Sequence, residues 1–278
     1  MYRGKTLLIV TKHAKEQVIA PVFEKELGVK CIVSSEIDTD ALGTFSGEIE
    51  RVDSPLLTAK KKCLLGLDRY DVDLVLSSEG SFGPHPLYVF TTVNEEYLYF
   101  MDQSNGVEIN VQELSLKTNF NHDIIHSWPE MKIFADNIGF PSHKVLLKKS
   151  KNDSTHTVKG IQTWSELEKW TQAFLDTNPS FHVETDMRAF CNPTRMEVIE
   201  KAAHKLAKKI QSLCPSCGFP GFDITDVKYG LPCSWCNRPT RMVYSSLSEC
   251  IKCGHMEENI NPEGSTHADP ANCDFCNP

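Results

Sequence analysis

No stretch of this sequence stays apolar for long. Near the N-terminus the apolar or near-apolar run is only Thr6 to Val10. A membrane-spanning helix needs about 20 such residues, and a signal peptide also needs a longer apolar centre. Neither is expected, and the chain is read as cytoplasmic with no membrane partner. Positive charge is also scarce: 29 Lys and Arg stand against 37 Asp and Glu, a formal net charge of −8. Binding along a nucleic-acid backbone needs a basic face, so that class of partner is not expected. The sequence has no repeat of fixed period and no long low-complexity run. What remains, 40% apolar and 24% charged over 278 residues, is the composition of a globular protein. That length accommodates one large unit and a small one, or two ordinary ones.

Cysteine is abundant. There are 11, and eight of them lie in four pairs: CPSC (Cys214, Cys217), CSWC (Cys233, Cys236), CIKC (Cys250, Cys253) and CDFC (Cys273, Cys276). A two-residue spacing lets both thiolates of a pair face one ion from a tight turn. Zn2+ takes four such ligands tetrahedrally, so eight cysteines make two closed structural sites with no open position for substrate. A redox dithiol and an iron–sulfur cluster are the competing uses of such pairs. The stretch from Cys236 through RMVY to Cys250 reads as a zinc-ribbon hairpin. It favours the second and third pairs sharing one ion and the first and fourth the other, with sequential pairing as the alternative. From residue 214 onward there are four basic residues and eight acidic ones. The module is therefore expected to contact protein rather than nucleic acid.

The remainder has the pattern of a mixed α/β unit. Lys5–Val10, Val29–Ser34 and Val72–Leu76 read as buried strands. Residues 15–27 read as a helix stopped by Gly28. Ser54-Pro55 opens a second helix, whose apolar face is Leu56, Ala59, Cys63, Leu64 and Leu67. Lys60-Lys61-Lys62 reads as the solvated face of that helix. Leu87–Val93 and Tyr97–Met101 read as a hairpin turning at Asn94-Glu95-Glu96. Gln103–Gly106 is a further turn. Capping boxes at Ser127–Glu130, Thr163–Glu166 and Thr194–Glu197 open three more helices. The last carries Ile199, Ala203, Leu206, Ile210 and Leu213 as its buried stripe.

Three stretches concentrate reactive groups: TKHAKE (Thr11–Glu16), DTDALGTFSGE (Asp38–Glu48) and SSEGSFGPHP (Ser77–Pro86). The first and third follow predicted parallel strands, the edge at which open α/β sheets bind ligands. Lys12, His13 and Lys15 are candidates for neutralising an anion at a helix start. Asp38, Asp40, Glu48 and Glu79 are oxygen ligands of the kind that hold Mg2+ or Mn2+, and His85 is placed to handle a proton. Gly80 and Gly83 would let backbone approach a ligand. Further along, Arg188 and Arg195 are candidates to clamp an anion, or to pair with Asp186 and Glu184.

Taken together, TKHAKE, DTDALGTFSGE, SSEGSFGPHP, GFPSH (Gly139–His143), MRAFCNPTR and ADPANCDFCNP resemble an uncharacterised bacterial family, a domain of unknown function with a cysteine-rich C-terminal end. That resemblance covers nearly the whole chain and implies no activity. Residues 5–85 are also similar to the inosine-triphosphate pyrophosphatase and Maf-like group of nucleotide-hydrolysing α/β proteins. That similarity implies phosphate contact by Lys12 or Lys15 and Mg2+ binding by Glu48 and Glu79. His13 stands where that group has asparagine.

The expectation is thus an α/β protein with a mixed, largely parallel sheet and flanking helices over residues 1–205. A small zinc-ribbon-like module follows over residues 206–278. The expected function is divalent-metal-dependent hydrolysis of a nucleotide-like phosphoanhydride. The first alternative is non-enzymatic binding of a nucleotide or other anion, with the zinc module engaging a protein. A zinc-dependent nucleic-acid binder comes third.

Overall fold

The computed structural model describes residues 1–34, 37, 53–84, 91–151 and 157–278. Contacts divide the chain into two compact units, Met1–Ala207 and Lys208–Pro278. No helix among the described residues is long and apolar enough to cross a membrane.

The first unit opens with strand β1 (Thr6–Val10), helix α1 (Glu16–Leu27) and strand β2 (Lys30–Val33), followed by helix α2 (Pro55–Arg69). Strands β3 (Leu74–Pro84), β4 (Thr92–Asp102) and β5 (Val107–Ser115) complete a sheet of order β2-β1-β3-β4-β5. β1 is parallel to both β2 and β3, whereas β3, β4 and β5 form an antiparallel meander. The mixed α/β class is therefore as the sequence indicates. Local chemistry explains the boundaries. Gly28 ends α1 in the left-handed region at φ 68°. The Ser54 hydroxyl accepts the Leu57 N–H at 3.3 Å to cap α2. Leu7 to Val10 are fully buried in the sheet centre. Gly66 lets α2 lie close on that sheet, since a Cβ there would meet Val10 at 2.8 Å and Val75 at 3.0 Å.

The same unit holds a second, antiparallel sheet. Its strands are β6 (His122–Ile125), β7 (Val145–Lys148), β8 (Thr157–Val158) and β9 (Phe181–Thr185), in the order β6-β9-β7-β8. Helices α3 (Trp128–Ile138) and α4 (Trp164–Thr177) enclose a core with it that includes Ile125, Phe134, Leu147, Leu167 and Phe181. Helix α5 (Pro193–Gln211) follows β9.

Several expectations need correction. β3 does not stop at Leu76. It runs through SSEGSFGP because β4 pairs with it residue by residue as far as Pro84 and Thr92. Asn94-Glu95-Glu96 is therefore strand interior, not a turn. Residues 85–90, including His85, lie outside the described residues. The cap of α5 is Asn192, whose Oδ1 accepts the Arg195 N–H at 3.0 Å, so Pro193 takes the first helical position and Arg195 sits in the first turn. In α2, Leu64 is exposed while Lys62 is buried. In α5, Ile199, Ala203, Leu206 and Ile210 are buried as the spacing predicts, but the helix ends at Gln211 and Leu213, beyond it, is exposed.

The second unit has one antiparallel sheet, β10 (Asp223–Tyr229), β11 (Val243–Glu249) and β12 (Met256–Ile260), in that order. Its buried apolar side chains, apart from cysteines, are Ile210, Phe219, Pro220, Leu231 and Ala268.

Candidate functional site

Each CxxC pair in the second unit forms a tight knuckle. The N–H groups of Gly218, Asn237, Gly254 and Asn277 donate to the carbonyls of Cys214, Cys233, Cys250 and Cys273 at 2.8–2.9 Å. Gly218, Asn237 and Gly254 stand at φ 69°, 59° and 69°, which accounts for glycine or asparagine after the second cysteine. The sulfurs gather in two groups of four. Cys214, Cys217, Cys250 and Cys253 form one; Cys233, Cys236, Cys273 and Cys276 form the other. Within each group every sulfur lies within 4.8 Å of the others. The closest approaches are 3.7 Å (Cys214–Cys253), 3.6 Å (Cys217–Cys250), 3.8 Å (Cys233–Cys276) and 3.7 Å (Cys236–Cys273). A disulfide would need about 2.05 Å. A tetrahedron with metal–sulfur bonds of about 2.3 Å has edges of about 3.8 Å. The eight candidate cysteines thus make two four-thiolate clusters that could hold metal ions, with dimensions compatible with zinc.

The pairing corrects the expected one. First joins third and second joins fourth, so the two clusters interleave. Strand pairing is the cause. β10 begins just after the first knuckle and β11 ends at the third, and Asp223 pairs with Glu249. The second knuckle meets the fourth because Cys233 bridges to Ala268 in parallel, with the Ala268 N–H donating to the Pro232 carbonyl at 2.8 Å.

In the first unit, three of the stretches singled out from sequence meet at the C-terminal ends of β1 and the parallel part of β3. After β1, His13 and Ala14 stand at φ 67° and 60°. Lys15 then returns to the right-handed region at φ −63° and caps α1. Consecutive left- and right-handed residues turn successive N–H groups toward one side, the geometry of an anion-binding nest. The Lys15 side chain is buried with its Nζ 3.7 Å from Glu96 Oε2. Burial is the main cause that brings its pKa down to about 8; Glu96 opposes this, and Arg195 and Lys62 add to it.

Arg195 is 1% exposed. Its Nε donates to Glu96 Oε1 at 2.6 Å, Nη2 reaches Oε2 at 3.4 Å, and Nη1 donates to the Met187 carbonyl. Lys62 Nζ donates to Glu79 Oε2 at 2.5 Å, with both side chains under 10% exposed. Gly80 is required here. A Cβ at that position would lie 2.6 Å from Glu96 Oε1 and also collide with the Arg195 guanidinium. Its close approach serves this ion pair.

Aromatic rings flank the cluster. The Arg195 guanidinium lies 5.3 Å from the Phe82 ring centre, and Phe82 stacks on Phe120 at 5.8 Å. Arg188 is held by Asp186 through Nε at 3.0 Å and Nη2 at 2.5 Å, and its pKa is raised chiefly by that hydrogen bonding. Its guanidinium lies 4.9 Å from the exposed Phe190 ring, on which His13 also packs at 5.7 Å.

Of the residues singled out from sequence, Lys15, Glu79 and Arg195 come together. Lys12 and His13 belong to the adjoining turn, and Arg188 neighbours it through Phe190. Asp38, Asp40, Glu48 and His85 lie outside the described residues. Sequence reasoning missed Lys62 and Glu96. Lys62 carried a signal, since it falls three residues after Ala59 and four before Gly66, both buried. Glu96 carried none once its segment was read as a turn.

A family described as "Domain of unknown function (DUF6671)" matches residues 62–278. No curated protein and no solved structure matches the chain. The similarity to the inosine-triphosphate pyrophosphatase and Maf-like group finds no support in these comparisons. The family match begins at Lys62 and takes in Glu79, Glu96, Arg195 and both cysteine clusters. Covering most of the length, it places this chain in the DUF6671 family, a domain of unknown function.

Proposed function

We propose that the first unit binds a phosphorylated, nucleotide-like small molecule at the ends of β1 and β3, and that the cysteine clusters hold two structural zinc ions. One observation carries the binding reading. Three buried cations, Lys15, Lys62 and Arg195, surround two buried carboxylates, Glu79 and Glu96. They lie at the strand ends where open α/β sheets bind ligands, and their ammonium and guanidinium groups supply charge-assisted donors for an anion. The nest at His13–Lys15 adds backbone donors, and the flanking Phe82, Phe120 and Phe190 offer flat apolar surface for a ring. Four thiolates close each zinc site, which favours a structural role.

Binding is adopted over hydrolysis because the two described carboxylates are already engaged by cations. A Mg2+ or Mn2+ site would draw on Asp38, Asp40 and Glu48, outside the described residues.

The test is calorimetry of the zinc-loaded chain against canonical and deaminated nucleoside triphosphates, with phosphate release followed in parallel. Saturable binding is expected, weakened at least about tenfold by Lys15→Met, the equivalent of about 1.4 kcal/mol. Lys15→Met leaves Glu96 paired with Arg195, so the fold is expected to survive, and circular dichroism checks it. No binding from folded protein across the panel would overturn the proposal. Turnover that needs Mg2+ or Mn2+ would favour the hydrolase instead.

A further inference from the structure

The second sheet has a face that this site does not use. Its register sets His122, Glu184 and Leu146 in one row and Ile124, His182 and Lys148 in the next. Strand alternation puts both rows on one side, away from the core formed by Ile125, Phe181, Val183 and Leu147. The polar groups of this face are linked. Lys148 Nζ donates to Glu184 Oε2 at 2.9 Å, and His182 Nε2 lies 2.9 Å from Glu184 Oε1. The His122 and His182 rings are 5.5 Å apart. Glu184 thereby fixes the His182 ring.

Beside these groups is a cavity of about 460 Å3, within the range of small-molecule sites. Among the described residues, His122, His182, Lys149 and Lys151 line it with the hydroxyls of Ser150 and Ser180 and the carboxylate of Asp123. Ile124 and Phe181 add apolar wall. A second cavity of about 290 Å3 shares Lys149 and is walled by Trp170, Ala173 and Phe174. Both sit by the start of β9, whereas the cationic cluster lies past its end. Five strand residues separate them, roughly 13–16 Å along the strand.

We propose that the two cavities form one site for an amphipathic organic anion, a phosphate monoester with a flat apolar body. The phosphate is held among Lys149, Lys151 and His122, with the His182 ring fixed beside them by Glu184. The body lies against Trp170 and Phe174. Lys149, on the wall common to both cavities, bridges the two halves.

Trp170 is 39% exposed and supplies the reporter. Phenyl phosphate is titrated into the zinc-loaded full chain while tryptophan fluorescence and heat are followed. Inorganic phosphate and phenol serve as the two half-ligands. The expected result is a saturable fluorescence change, with phenyl phosphate binding at least tenfold more tightly than either half. Lys149→Ala, at an exposed position, weakens it at least tenfold. Trp170→Phe removes the optical signal but keeps the heat, and Lys15→Met in the other cluster leaves binding unchanged. Absence of both signal and heat would overturn the proposal. So would binding that survives Lys149→Ala, or binding abolished by Lys15→Met, which would assign the ligand to the ends of β1 and β3.

Discussion

Three consecutive lysines meet three different fates on α2. Lys60 pairs with Glu108 and Lys61 with Asp53, both at partly exposed positions. Lys62, turned inward by the helical step of about 100° per residue, is buried against Glu79. A run of like residues shares no helix face, so reading it as one solvated patch hid a site residue. The structure predicts unequal costs. Lys62→Met breaks a buried ion pair with Glu79 and is expected to cost about 3–5 kcal/mol, whereas Lys60→Met costs about 1 kcal/mol or less. Adding Glu79→Gln to Lys62→Met should recover much of the loss. Urea unfolding of the two single variants and the double variant checks this, and equal costs at positions 60 and 62 would refute the pairing. Lys15 gives a pH signature. Its folded pKa of about 8 lies below the ordinary 10.5. Between those values the unfolded chain holds a proton that the folded chain has lost, so this residue's contribution to stability rises with pH. The stability difference between wild type and Lys15→Met should therefore shift in favour of wild type as pH increases from 8 toward 10. A flat difference would mean that Lys15 titrates normally.

At the scale of elements, legibility followed local chemistry. β1, α1, α2, α3 and α4 could be read because their ends carry Gly28, Ser54, Ser127, Gly139 and the Thr163–Glu166 box, each acting within a few residues. β3 and β4 could not, because polar residues in Ser77–Gly80 and Asn94–Glu96 look like loop until their long-range partners are known. Glu96 is tolerated in a strand interior only because Arg195, 99 residues away, meets it there. The cysteine spacing likewise announced eight ligands but not their grouping, which depends on β10 pairing with β11. That grouping predicts a metal count. Cys214→Ser combined with Cys250→Ser damages one cluster and should leave one ion per chain in native mass spectrometry. Cys233→Ser combined with Cys250→Ser damages both and should leave none. The pairing expected from sequence would exchange the two results.

At the scale of the whole molecule, the two units are held together internally by different means. Met1–Ala207 contains the two cores built on its sheets, with side chains such as Leu8, Val75, Phe134 and Phe181 buried in them. Lys208–Pro278 buries little besides its cysteines, and its β12 is exposed at every position. So small an apolar core supports folding poorly, and metal at the two proposed sites would supply the difference. Metal removal should therefore act on one unit. After chelation, limited proteolysis should cut within Lys208–Pro278 while a fragment ending near Ala207 stays protected, and reconstitution with zinc should restore protection. The thiols must deprotonate to bind, so protection of the second unit should also be lost on mild acidification, before the first unit unfolds. Simultaneous loss of protection across the chain on chelation would show that the first unit also depends on the metal, contrary to its separate cores.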